Sequence, residues 1–367
     1  MFTKEKTNTC KGIAILLLIF HHLFRSEEAI IPHDMCFFVL PHNIVPGIAS
    51  CARVCVYMFV FLSAYGLMYK YSHLPEEKKR TFIVDQWFFL MKPFWFIFII
   101  EIAAYALSRG GLISKYEGNF GFFILDFLGL SDLFQTPMLL GVFWYMSLAQ
   151  ILVIMIPAME TILHKIGFEK GILLLTFLLL QILGKGIYSN NGGDYLSYLF
   201  SFVCGCLCAH DDFMNRISKK TYSRIMRACI CGLLLLSAVL LLTFQYKMKV
   251  MESDSWRVRS LLNAGAAIAV CLTFGVFIDL KPLNIFLTYL GQYCGTIFLI
   301  HTFIYSTYPE IVYISKIAVI NYVILVIECL LLSILIKYIK KWIQYDNIMD
   351  SLFNKITNII TPLSPAS

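Results

Sequence analysis

Long apolar blocks, not amphipathic stripes, organise this chain of 367 residues. They run at about 11–28, 49–69, 87–107, 141–158, 170–187, 195–209, 227–245, 261–279, 284–306 and 316–337. At 1.5 Å rise per residue, most of these blocks match a hydrocarbon layer of about 30 Å. The pattern therefore predicts an all-α, polytopic integral-membrane helical bundle with about ten transmembrane helices. The sixth block is short for a crossing, and Gly205 inside it permits a close helix approach. The apolar stretch 120–130 is too short to span and reads as a re-entrant or interfacial segment between the third and fourth spans. Nothing has the ten-residue alternation of a barrel strand, which argues against an outer-membrane barrel. No internal repeat is evident, which weakens an inverted-repeat transporter architecture.

The polar positions between blocks set the orientation. Lys4, Lys6, Lys70, Lys78, Lys79, Arg80, Lys165, Lys170, the Arg216–Arg227 cluster, Lys337, Lys340 and Lys341 all fall on one side if the N-terminus is inside. The opposite loops carry a sparser set, including Arg25, Arg109, Lys115, Lys185 and Lys247. The positive-inside rule then puts both termini in the cytoplasm. The domain reading is a transmembrane domain over 1–345 and a cytoplasmic C-terminal tail over 346–367. Short basic loops tied to a membrane lie beside anionic lipid headgroups and do not read as nucleic-acid binding.

Composition sharpens this picture. The chain is 59% hydrophobic, only 14% charged and has a mean hydropathy of +0.74, outside the range of ordinary soluble domains. Spans and short loops consume the length, so chemistry must occur within the bundle or at its mouths. Net charge is +7, but its distribution carries more information than its sign. The twelve cysteines are scattered through apolar runs. Cys204, Cys206 and Cys208 have no completing ligand before His210, so packing is favoured over metal binding and no metal is expected. Cys36 and Cys51 could meet on the outer face. The first apolar segment lacks a small-residue cleavage site and reads as an uncleaved span.

Candidate chemistry is concentrated in the first span, where Lys11 is followed by an apolar run and then His21 and His22. Eleven residues are almost three helical turns, which puts Lys11 and His22 within roughly 20° of each other and about 16 Å apart along the axis. Ionisable groups inside such a run are costly and point to function. The alternative is an interfacial placement, since Arg25, Glu27 and Glu28 follow at once. Elsewhere the spans hold Arg53, Lys92, Glu101, His301 and Glu328, with Asp126 in the short apolar segment. Glu101 and Glu328 are read as structural or network groups that could pair with Arg53 or Lys92. Trp144 and Tyr145 suit an aromatic belt, or stacking on a sugar ring at the outer face.

Four blocks together resemble the acyltransferase 3 family of membrane acyltransferases. Lys11 to His22 looks like its basic-x10-His signature. Arg53 to Gly66, with Phe61-Leu62-Ser63-Ala64-Tyr65, is similar to its second-span block. Phe143-Trp144-Tyr145-Met146-Ser147 resembles a later-span entry, and Leu290-Gly291 through His301 resembles a block ending in histidine. The blocks occur in family order across nearly the whole chain. Position 11 departs from the usual arginine and so lacks the bidentate fork that suits carboxylate or phosphate. Only Lys92-Pro93 stands where the family often pairs arginines, and Ser63-Ala64 replaces Ser-Gly.

The resemblance implies transfer of an acyl group, commonly acetyl, from cytoplasmic acetyl-CoA or another acyl-CoA to a hydroxyl of a glycan or lipid-linked glycan precursor in the cell membrane. A sugar hydroxyl is a poor nucleophile near neutral pH, so an imidazole general base is what the reaction needs. By family spacing His22 is that base. His301 lies opposite it to polarise the thioester carbonyl or position the acceptor, or is an interfacial histidine bonded to a neighbouring helix. Lys11 would meet the donor, with Arg53, Lys92, Lys79 and Arg80 as further donor-binding cations. A multi-span transporter or flippase without covalent chemistry is the competing reading, and self-association is left open.

Overall fold

The computed structural model describes residues 3–25, 35–37, 41, 43–108, 111–166, 170, 172–173, 176–177, 188–189, 193–250 and 256–360. Their regular structure is helical apart from a hairpin of two-residue strands, Tyr188–Ser189 against Gly193–Asp194, and a single bridge between Cys36 and Ile317. The main helices are α1 (Lys4–Phe24), α2 (Val45–Cys51), α3 (Val54–Ser72), α4 (Phe82–Ser108), α5 (Phe120–Phe127), α6 (Trp144–Ile166) and α7 (Leu199–His210). They continue with α8 (Arg224–Val250), α9 (Trp256–Leu272), α10 (Lys281–Gln292), α11 (Cys294–Thr307), α12 (Ala318–Trp342) and α13 (Tyr345–Ile360).

Seven segments among the described residues are long and apolar enough to cross a membrane: α1, α2 with α3, α4, α6 with the preceding turn, α8, most of α9 with the turn after it, and α12. The pair α10 and α11 makes an eighth if counted as one broken span. The short apolar stretch Tyr195–His210 covers the expected sixth span. Most of the expected fifth span, 170–187, lies outside the described residues. Helix α5 falls within the stretch expected to be interfacial. It is eight residues long and its N-terminus is capped by Asn119, whose side-chain oxygen accepts from Gly121 N at 2.8 Å.

Close backbone contact between α1 and α10 positions the site. A Cβ at Gly12 would lie 2.2 Å from the Leu287 carbonyl oxygen, and one at Gly291 would lie 1.9 Å from that of Asn8. Only a glycine fits either place. Between them the Thr9 and Thr288 hydroxyls share a 3.0 Å hydrogen bond. Lipid tails are as apolar as leucine, so helices in a bilayer gain from this kind of close packing and not from hydrophobic burial. Gly205 does the same for α7, where an added Cβ would meet the Phe61 carbonyl oxygen at 2.4 Å.

The chain then bends by 72° between α10 and α11. The apolar block at 284–306 reads as one span in the sequence but is two helices meeting at Tyr293. After the bend α11 runs alongside α1, with its first turn near Lys11 and its third near His22. The tail expected beyond residue 345 is helical as far as Ile360. Its Phe353 ring stacks on Phe88 of α4 at 4.1 Å, and its Tyr345 hydroxyl donates to the Lys92 carbonyl at 2.8 Å.

Candidate functional site

Helices α1, α3, α6 and α11 converge on one aromatic and imidazole cluster, and each carries one of the four sequence blocks. The His22 and His301 rings lie 4.9 Å apart between centroids at 63°, and Tyr305, one turn beyond His301, is 6.4 Å from both. Phe298, one turn before His301, sits 4.9 Å from Tyr145 and 5.9 Å from Phe59. The Tyr145 hydroxyl hydrogen-bonds Ser63, linking the second-span block to the later one.

The hydrogen bonds distinguish the three histidines. His21 Nδ1 lies 2.7 Å from the Ala49 carbonyl oxygen, so that nitrogen carries the proton and ties the ring to α2. His301 Nδ1 lies 2.8 Å from the Phe298 carbonyl oxygen and 3.2 Å from that of Ile297. A carbonyl can only accept, which makes His301 Nδ1 the N–H and leaves Nε2 with its lone pair in the neutral ring. His301 Nε2 is buried with no protein partner, and so is His22 Nδ1. Buried polar atoms are normally satisfied, and two orphans on facing rings mark a place where a substrate atom can bond.

The cations expected to bind the donor are not gathered at one place. Lys11 is half-buried and interacts electrostatically with Cys294 at the start of α11. No carboxylate lies within ion-pair distance of it among the described residues. Arg53 stands at the other level of the bundle, where its charge reaches His22 and its Nη2 donates to the Tyr198 hydroxyl at 3.3 Å. Lys92 pairs with Asp350 of α13 at 2.7 Å and approaches Asp346 at 3.8 Å. Lys79 is bonded to Glu76 at 2.8 Å and lies over the Tyr71 ring. Arg80 is exposed beside it. The geometry thus separates Lys11, Arg53 and the Lys79–Lys92 region into three locations.

Glu101 and Glu328 do not form the ion pairs with Arg53 or Lys92 that the sequence allowed. Both Glu101 oxygens and Glu328 Oε2 are buried without a hydrogen-bond partner. Among the described residues no group of three or more His, Cys, Asp or Glu side chains is arranged to hold a metal ion. Cys36 and Cys51 are not joined in a disulfide, and Cys51 donates to the Leu242 carbonyl at 3.6 Å.

Sequence reasoning missed Tyr198, Tyr305 and Asp132. Tyr305 was visible in principle, since it lies four residues after His301 on the same helical face. Tyr198 and Asp132 had no such signal. Tyr198 stacks near Trp144 at 5.9 Å and Tyr57 at 4.9 Å, so Trp144 packs within the bundle around Arg53.

Outside the spans, Asp126 of α5 is buried and its Oδ2 accepts from Tyr116 OH at 2.8 Å and Leu139 N at 2.6 Å. Burial wins over these bonds and pushes its carboxyl up to about 6.

A family model described as an acyltransferase domain matches residues 7–338, nearly the whole chain. No curated protein and no solved structure is significantly similar to it.

Proposed function

The chain belongs to the acyltransferase 3 family, and on that premise we propose that it transfers an acetyl group from cytoplasmic acetyl-CoA to a hydroxyl of a cell-surface polysaccharide or lipid-linked glycan precursor. The observation that carries this reading is the facing His22–His301 pair, 4.9 Å apart, with an unpartnered nitrogen on each ring. In this reading the bundle has ten spans, with both termini cytoplasmic, in the cell membrane.

His22 takes the proton of the acceptor hydroxyl as its oxygen attacks the thioester carbonyl carbon. The tetrahedral intermediate collapses by breaking the C–S bond, and the proton passes to the departing CoA thiolate. Of the two sequence-derived roles for His301, its tautomer supports positioning the acceptor. Nε2 offers a lone pair to a hydroxyl and has no proton for the thioester oxygen. Arg25 and Arg53 are the cations whose charge reaches His22; of the two, Arg53 belongs to the second-span block and is a donor-only guanidinium suited to a developing oxyanion. Lys11 holds the donor nearer the cytoplasm, about 16 Å down the α1 face. Lys92, Lys79 and Arg80 are contacts for anionic parts of CoA at the inner mouth. For Lys92 this requires exchange with Asp350.

The test is mass spectrometry of surface glycans from cells carrying wild type, His22→Ala, His301→Ala or no protein. The acetyl ester is expected with wild type and absent with His22→Ala at equal protein level. Unchanged acetylation in His22→Ala, together with altered precursor flux, would favour transport and overturn the enzyme reading.

A further inference from the structure

Between α4 and α6, in the loops on either side of α5, the chain forms an open cavity of about 420 Å³ that no step above uses. Lys115, Glu117, Asp132, Gln135, Thr136 and Met138 are among its lining residues. By the lysine and arginine distribution this segment is on the outer side of the membrane, where a surface glycan would be met. We propose that the cavity is a saccharide subsite, in which the Asp132 carboxylate receives hydroxyl groups of the acceptor glycan. The proposal rests on the acyltransferase reading and extends it by naming where the acceptor is held.

Asp132 is only 1% exposed, and its two oxygens are treated differently. Oδ2 accepts from the Tyr195 hydroxyl. Oδ1 has no partner within the protein. An unsatisfied buried carboxylate oxygen is costly, and the residue lines a polar cavity large enough for a sugar ring. A carboxylate is an acceptor-only group, and neighbouring sugar hydroxyls are the donors that match it. The rest of the lining agrees. Thr136 and Gln135 supply further polar groups, and one lysine faces two carboxylates, a poor site for CoA phosphates. An acetyl-CoA pantetheine or a lipid tail would meet too little apolar wall.

Two hydrogen bonds and one electrostatic interaction connect this cavity to the histidines. Tyr195 and Tyr198 are the first and last residues of one 3-10 turn, so their side chains leave the backbone on the same face. Tyr195 holds Asp132, while Tyr198 accepts from Arg53, whose charge reaches His22. A glycan anchored at Asp132 is thereby registered against the groups that would act on its hydroxyl. Asp132 is a positioning residue here, since it acts on acceptor placement and not on the reacting atoms.

Two readouts on the same membranes test this. One is acetyl transfer to surface glycan, scored by mass spectrometry. The other is acetyl-CoA hydrolysis without acceptor. Asp132→Asn keeps the shape and removes the charge, and is expected to lower glycan transfer at least tenfold relative to hydrolysis. His22→Ala is expected to lower both together. Thr136→Trp fills the half-exposed wall without touching the buried carboxylate and must show the same split, which decides the matter if Asp132→Asn fails to accumulate. Wild-type ratios of transfer to hydrolysis in the accumulating variants would overturn the proposal. So would calcium binding that disappears in Asp132→Asn together with chelator-sensitive transfer, because the cavity would then hold a cation. If wild type shows neither acetylated glycan nor hydrolysis, the acyltransferase reading itself has failed, an outcome separate from any ratio.

Discussion

Gly291→Ala is the smallest change that probes whether the α1–α10 contact sets the active geometry. The added methyl carbon would sit 1.9 Å from the Asn8 carbonyl oxygen and 2.7 Å from its carbon. Ordinary contact begins near 3.4 Å, so the two helices must part by about 1.5 Å at this point. Such a shift takes the 3.0 Å Thr9–Thr288 hydroxyl pair out of hydrogen-bonding range. Overpacking costs about 1–3 kcal/mol, and a lost hydrogen bond adds roughly 1 kcal/mol. Replacing glycine by alanine in a helix returns about 1 kcal/mol, which leaves a net loss of about 1–3 kcal/mol.

The functional loss should exceed the loss in stability. Gly291 lies two residues before the bend that launches α11, and α11 carries His301 to within 4.9 Å of His22. A displacement of about 1 Å in a reacting constellation can cost on the order of a hundredfold in rate. The assay pairs thermal unfolding in detergent with acetyl transfer to surface glycan. Gly66→Ala is the internal control, because nothing lies within 4 Å of its added carbon. That variant should be neutral or up to about 1 kcal/mol more stable. Equal Tm and equal transfer for Gly291→Ala and wild type would refute the argument, as would an identical loss in Gly66→Ala.

Two further outcomes follow from individual residues. Asp126 is raised on folding to about 6 from an ordinary carboxylate value, so its protonated form favours the folded state. That contribution, at most roughly 3 kcal/mol for about two units, is whole below about pH 4 and is lost as pH rises through about 6. Thermal unfolding between pH 4 and 7 should therefore show wild type losing stability with rising pH relative to Asp126→Asn; parallel profiles would refute it. Lys11→Ala should raise KM for acetyl-CoA at least tenfold while Lys11→Arg retains binding, read by acetyl-CoA hydrolysis in membranes. A Lys11→Ala protein with unchanged KM would remove the donor role and leave the His22 assignment standing.

What the sequence made legible was whatever depends on length, period or a small residue within an apolar run. The segment 120–130 stood apart from the spans because it is too short to cross, and α5 lies within it. The Lys11–His22 face followed from 3.6 residues per turn, and the close approach at Gly205 from its missing side chain. The bend at Tyr293 was not legible, because hydropathy is continuous across 284–306 and Gly291, two residues before it, packs on Asn8, 283 residues away in sequence. The sequence reading assigns 346–367 as a tail without an element, and the helical apolar period of Tyr345, Met349, Leu352 and Phe353 is what forms α13 there. Its docking to Lys92 and Phe88 is a tertiary fact that no local pattern announces. The same holds for Tyr198 and Asp132, whose partners Arg53 and Tyr195 are distant in sequence.

The structure also changes what a basic-x10-His spacing can mean. Considered on α1 alone, the spacing aligns two groups on one face but leaves them about 16 Å apart, too far to act on one atom. Helix α11 resolves this by running beside α1 from Cys294, near Lys11, to His301, opposite His22. The two helices then line one path with a cation at one level and paired imidazoles at the other. In the proposed mechanism a donor held at Lys11 would extend along that path to bring its thioester to His22, with the acceptor approaching from the Arg53 and Tyr198 side. On the proposed roles of Lys11 and His22, the spacing would measure how far the acyl group reaches from the donor site, while the glycines at 12 and 291 hold α10 against α1 at the Lys11 level.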